Sequence, residues 1–265
     1  MSLIEGGGCI VGGLESVYPY RRHRIRLRSF YMDTHEVTVG EYLEFMEATG
    51  SPQPRFWPKK SWKRLLERLE TEWKKQPVVQ VTIQQARAYA EWKGKRLPTA
   101  WEWERAARGK EGKRFLWGDQ WTYGRQALAE EQIQVLSGRF ALDYGHPRTR
   151  DRNPLVQTML SLYPVGSFDE DRTREGIFDL LGNAMEWTET LTLHSWSRMD
   201  RDTFLHNNMI VPSRTSYLLK GASVAALRGS RVSPKISLQL SYFTPSQAQS
   251  GGRYSGFRCV KSLSH

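Results

Sequence analysis

The sequence predicts one loop-rich α+β domain, and three observations carry that reading. Helix start signals cluster in the first half of the chain. The second half breaks into short apolar runs separated by Gly, Ser, Pro and Asn, the pattern of short strands joined by long loops. Ten tryptophans in 265 residues need both burial and a partner for the indole N–H, which points to an irregular fold. With 39% hydrophobic and 25% charged residues, the chain has the composition and length to bury a core as a single domain over 1–265.

The helices share one start signal. Thr38-Val39-Gly40-Glu41, Thr82-Ile83-Gln84-Gln85 and Thr99-Ala100-Trp101-Glu102 all read Thr-x-x-Glu/Gln. The Thr hydroxyl can accept from an early helical N–H while the Glu or Gln reaches back to the cap. After the first box, Val39, Tyr42, Leu43 and Met46 recur at helical spacing and Gly50 supplies a stop. The second runs toward Gly94 with Ile83, Ala86, Tyr89 and Ala90 on one side, and the third ends near Gly109.

Between the first two lies a helical insertion at about 52–76. It places Trp62, Leu65, Leu66, Leu69 and Trp73 on one face and Lys, Arg and Glu on the other. That is an ordinary surface helix; Glu67, Glu70 and Glu72 argue against a membrane-surface role. Residues 120–160 show no clear pattern, and no repeat or linker divides the chain.

Bulk properties exclude several classes. No apolar stretch is long enough to span a bilayer. The N-terminal MSLIEGGGCIVGG lacks the basic start and apolar run of a secretory signal, so a cytoplasmic location is expected. Cys9 and Cys259 stand at opposite ends of the chain with no Cys-x-x-Cys or Cys/His cluster, which leaves no zinc site. Two buried thiols are the plain expectation, and a disulfide between the termini is the alternative.

The net charge is +11, and no acidic residue follows Asp202. A one-sign region favours an anionic partner. Its basic residues are scattered rather than clustered, however, and no nucleic-acid motif accompanies them, so nucleic acid is not the expected partner.

Motifs then line up in order: FYMDTHEVTVGEYLEFM (30–46), QPVVQVTIQQARAYAEWKGKRLPTAWEWERAARG (76–109), FLWGD from 115, YPVGSF from 163, GIFDLLGNAMEWTE (176–189), LKGAS from 219 and SGFRCV from 255. This succession resembles the formylglycine-generating enzyme (sulfatase-modifying factor) superfamily over nearly the whole length. The resemblance implies a C-type-lectin-like fold with two principal helices, an elaborated loop shell and neighbouring termini. Each block also has a scaffold role. Thr99 caps a helix that Trp101 and Trp103 anchor, Arg96 and Glu102 can pair, and Gly182-Asn183 suit a turn with positive φ.

The resemblance implies chemistry as well, and the residues depart from it. Catalytic relatives carry a cysteine pair after a Gly-Gly-Ser turn that binds copper, a task suited to soft thiolates. Here the turn is Gly221-Ala222-Ser223 and the two positions fall on Ala226 and Arg231. Copper and formylglycine-forming activity are therefore not expected. Relatives that make sulfoxides use iron held by histidines from an added domain. The six histidines of this chain show no such grouping, so a cysteine-independent metal oxidoreductase remains the rival reading.

The family's structural calcium site maps onto Asp179, Gly182, Ala184 and Glu186, hard oxygen donors suited to that ion; a hydrogen-bonded turn without metal explains the same residues. A second calcium site is not expected, since the segment reads QALAEE (126–131).

What remains is a scaffold with a C-terminal loop face at 224–255. Its Ser, Gly and Tyr content is the vocabulary of adaptable binding surfaces. Arg228, Arg231, Tyr242, Phe243, Arg253 and Tyr254 are the candidate contacts to a protein or small-molecule ligand. The layout is similar to the variable proteins of diversity-generating retroelements, which display a diversified patch before a closing Gly-Phe-Arg-like strand.

Overall fold

The structure is a computed structural model that describes residues 1–13, 22–54, 57, 71–116, 118–120, 162–192, 216–221, 240, 243–249 and 252–263. In chain order come strands β1 (Ser2–Ile4), β2 (Gly7–Val11), β3 (His23–Leu27) and β4 (Phe30–Met32), then helices α1 (Val39–Thr49), α2 (Ile83–Trp92) and α3 (Ala100–Arg108). Strands β5 (Met185–Thr192), β6 (Ser216–Lys220), β7 (Phe243–Gln247), β8 (Ser255–Gly256) and β9 (Val260–Ser262) follow. Short 3₁₀ turns occupy Thr71–Lys75 and Asp169–Asp171. The predicted α+β, loop-rich class is the one observed. Among the described residues no helix is long and apolar enough to cross a membrane.

All three helices start as the sequence predicts. Thr38, Thr82 and Thr99 each accept from the N–H three residues on, and Glu41, Gln85 and Glu102 return to the cap N–H. Gly50, at φ 68°, closes α1 in the left-handed conformation that glycine adopts without a Cβ penalty. The buried face of α2 is Ile83, Ala86, Tyr89 and Ala90, as its spacing dictates. In α1, Phe45 joins Val39 and Tyr42 inside, while Leu43 and Met46 pack at the margin of the core. Helix α3 is different, because every one of its residues is buried, including Glu102, Glu104, Arg105 and Arg108. Charges so placed need partners.

Three sheets hold the described strands: β1-β4-β9, the hairpin β2-β3, and β7-β6-β5-β8. The first and last strands both pair antiparallel with β4, which brings the two ends of the domain into one sheet. In the four-stranded sheet, β5 pairs antiparallel with β6 and parallel with β8. Strand β7 lies at the edge, where Pro245 is tolerated. The larger core cluster packs α1 and α2 against Val78, Val79, Trp187, Phe257 and Cys259. A second gathers Phe30, Met32, Trp103, Ile177 and Leu180.

Of the 52–76 insertion, Trp57 and Trp73 are buried in the larger core. Its predicted apolar face at Trp62, Leu65, Leu66 and Leu69 lies outside the described residues, as does 126–131.

Candidate functional site

The GN-x-x-EW turn is the most polar part of the interior. Asp179 and Asn183 both take positive φ of 61°, which short polar side chains tolerate. Asn183 meets the sequence expectation, whereas Gly182 does not need its freedom. Glu36, from the DTHEV segment, lies beneath the turn. Its Oε1 accepts from the Ala184 N–H at 2.9 Å and its Oε2 from Asn183 Nδ2 at 3.2 Å. The Asp179 Oδ2 accepts from the Gly166 N–H at 2.7 Å. Asp171 accepts from the Leu181 N–H with both oxygens.

Arg258 balances this group. It comes from the closing GFRCV segment and is fully buried. Its Nε and Nη2 each lie 2.7 Å from one oxygen of Glu186, a bidentate contact, and Nη2 also donates to the Phe178 carbonyl at 2.8 Å. Trp103 Nε1 donates to Glu186 Oε2 at 2.9 Å. Burial pushes the carboxyls of Glu36 and Asp171 well above their ordinary values, and the neighbouring Asp179 charge raises both further. Asp179 and Glu186 are also raised by burial, while Arg258 pulls each back. A side-chain hydrogen bond with Glu36 also opposes the rise at Asp179.

The calcium expectation can be tested on these donors. Glu186 spends both oxygens on Arg258 and Trp103, and the Asp179 carboxyl is engaged by Gly166 and Glu36. Among the described residues no group of three or more His, Cys, Asp or Glu side chains is placed to hold a metal. As positioned, Asp179 and Glu186 both meet protein donors, Glu186 the Arg258 guanidinium and Asp179 the Gly166 N–H.

A second buried charge cluster links α3 to β6. Glu104 accepts from Lys220 Nζ at 2.8 Å, from Arg108 Nη1, and from the Gly12 N–H at 2.9 Å. Lys220 also lies over the Trp103 ring, 5.5 Å from its centroid. Burial lowers its ammonium pKa and Glu104 opposes that shift. Arg96 and Glu102 form the bidentate pair expected from the sequence, at 2.8 and 2.6 Å. The spacing of the sequence reveals nothing of Glu36 or the Lys220–Glu104 contact, since their partners lie 148 and 116 positions away.

The C-terminal loop face is described in part. Arg228, Arg231 and Tyr242 lie outside the described residues. The Phe243 backbone begins β7, paired with Lys220. Arg253 is half-buried. Tyr254 is a correction to the surface-contact reading: at 2% exposure it belongs to the larger core. The strands framing this face, β6 and β8, flank β5 on opposite sides.

Both thiols are free and buried. They sit in separate core clusters, Cys9 with Val11 and Trp101, Cys259 with Tyr89 and Phe257. Burial raises the pKa of both, that of Cys259 strongly.

The sulfatase-modifying factor enzyme 1-like domain matches residues 1–263. The formylglycine-generating enzyme of Mycobacterium tuberculosis is 29% identical over 229 residues, which cover 69% of this chain and 72% of that protein. Inactive C-alpha-formylglycine-generating enzyme 2 of Bos taurus is 37% identical over 113 residues, 42% of this chain and 32% of that one. The chain spans 27% and 59% of the length of two other relatives. Among solved structures, Treponema denticola variable protein 1 superposes with a TM-score of 0.60 at 16% identity, over 98% of this chain and 94% of that one. This likeness supports the C-type-lectin-like fold and, at that identity, the fold alone.

Proposed function

Because the chain belongs to the sulfatase-modifying factor enzyme 1-like family, we propose that it is a non-catalytic member of it, a module that binds a protein or small-molecule ligand through the loops of 224–255. The observation that carries this reading is the state of its two thiols. Copper capture and oxygen activation by thiolates need a close, accessible cysteine pair. Cys9 and Cys259 are buried in different core clusters, and burial holds both as neutral thiols. The positions that would carry the family's pair read Ala226 and Arg231.

Two comparisons support a binding role. One relative is named inactive, and one structure sharing the fold is named a variable protein. On this reading the buried polar groups are scaffold. Arg258–Glu186 and Lys220–Glu104 fix the ends of β5 and β6. A refinement of the same reading is that 224–255 is a diversified patch of the kind retroelement variable proteins carry. The partner is then set by loop side chains and not by a catalytic pocket.

An activity assay tests the non-catalytic part of this reading. The purified protein, supplied with copper(I) and oxygen, is incubated with a cysteine-containing peptide, and the product mass is read. No aldehyde-bearing product is expected. Conversion of the cysteine would contradict the proposal and favour the rival oxidoreductase.

A further inference from the structure

The β2-β3 hairpin divides its two faces by chemistry. In the antiparallel register Val11 lies opposite His23, Cys9 opposite Ile25 and Gly7 opposite Leu27. Cys9, Val11, Ile25 and Leu27 cluster with Ala100 and Trp101 of α3, so theirs is the inner face. Successive side chains of a strand alternate, and the intervening residues therefore face outward. On β3 these are Arg24 and Arg26, and the same alternation continues past its ends to Arg22 and Arg28. All four arginines are exposed. Side chains two apart on a strand stand about 6.7 Å from one another, so the four form one row about 20 Å long.

The hairpin does not balance this charge. Neither strand carries an acidic residue. Gly8 lies across from Arg26 and Ile10 across from Arg24, positions where a carboxylate would form a cross-strand pair. No hydrogen bond or ion pair among the described residues engages Arg24 or Arg26. Arg22 gives one N–H to the Glu111 carbonyl at 3.0 Å. Of the flanking carboxylates, Glu5 is met by Lys110 at 3.4 Å. Like charges held in line repel one another, and an extended anion laid along them relieves that repulsion.

We infer that the outer face of β3 binds single-stranded nucleic acid along its sugar–phosphate backbone, with Arg24 and Arg26 as the central contacts. A phosphodiester chain carries one fixed charge per repeat whatever its sequence, and guanidinium pairs with phosphate oxygens in a planar, bidentate geometry. An extended single strand can follow a straight row of this length, whereas the phosphates of a duplex wind away from it. A membrane fits less well, because the exposed large apolar side chains among the described residues are Met1, Leu3, Tyr31, Trp92 and Leu263, all outside the hairpin. Contacts of this kind position a strand without reading its bases, so binding is independent of sequence and sensitive to salt. None of the contacts proposed at 224–255 belongs to the row, and either reading can fail alone.

Fluorescence anisotropy of the full chain with a labelled oligothymidylate of about 15 nucleotides tests the proposal. Saturable binding is expected at low salt. Log affinity should fall against log salt with a slope of about −2 to −3, the value for about three or four phosphate contacts. Arg24→Gln combined with Arg26→Gln should weaken binding about tenfold or more and make the slope shallower by about 1.4, with the native circular dichroism kept. Lys74→Gln combined with Lys93→Gln removes the same charge from exposed positions outside the hairpin and should leave binding nearly unchanged. Equal losses in the two double variants overturn the proposal, because net charge alone would then govern binding. Absence of saturable binding overturns it as well. So does displacement of the oligonucleotide by polyglutamate at equal charge concentration, which would assign the row to an acidic peptide.

Discussion

Arg258 and Glu186 form a bidentate ion pair with both side chains fully buried, 2.7 Å apart at each contact. The pair joins the last segment of the chain to the GN-x-x-EW turn, 72 residues earlier. A buried pair of this kind is weak grounds for stability relative to an apolar core, but removing one partner strands the other charge. Arg258→Met is therefore expected to cost about 3–5 kcal/mol in denaturant titration. Adding Glu186→Leu should recover part of that loss, with Trp103 Nε1 left short of its acceptor. A single variant near wild-type stability would contradict the account of this turn.

The carboxyls beside the pair set a pH dependence. Glu36 and Asp171 titrate well above their ordinary values because burial and the Asp179 charge oppose ionisation. Between the unfolded and folded pKa values the native state holds protons that the unfolded state has lost. Stability therefore falls as pH rises from the ordinary carboxylate range, by up to about 1.4 kcal/mol per pH unit for each group. Melting temperature measured from pH 5 to about 8 should decline, and Glu36→Gln should flatten the decline. A curve that rises over the same window would show these groups ionised in the native state.

How much of this was legible in the sequence follows from the range of each interaction. Capping boxes act over three residues, so Thr38, Thr82 and Thr99 announced their helices directly. The Arg96–Glu102 pair was readable for the same reason, spanning six positions. Glu36 was not, because it reaches the Ala184 N–H across 148 positions and nothing local marks it as buried. Tyr254 misled in the opposite way. An aromatic residue among Gly, Ser and Arg reads as a surface anchor, yet its ring fills the core. Asp179, Gly182, Ala184 and Glu186 are legible as residues of one turn. Their engagement with Arg258, Trp103 and Glu36 depends on tertiary placement that spacing does not encode.

The cap of α3 gives a local test. Thr99 Oγ1 accepts from the Glu102 N–H at 3.1 Å, and Glu102 is held in turn by Arg96. Thr99→Ala should destabilise the protein by about 1 kcal/mol in denaturant titration. A loss below a few tenths would mean that the Arg96–Glu102 pair alone fixes the start of the helix.

Thiol accessibility follows from burial. Neither Cys9, at 1% exposure, nor Cys259, at 0%, should react with a thiol-specific disulfide reagent in the native protein. Both should react once denaturant is added, giving two thiols per chain. Fast labelling of either in the native state would contradict the core placement.

Metal stoichiometry distinguishes a family member without copper-dependent chemistry from one that retains it. The protein is loaded with copper(I) under reducing conditions, passed through gel filtration without chelator and analysed by inductively coupled plasma mass spectrometry. Copper far below one atom per chain is expected. Retention of one copper per chain would contradict it and return the loops after Gly221 to the status of an oxidative active site.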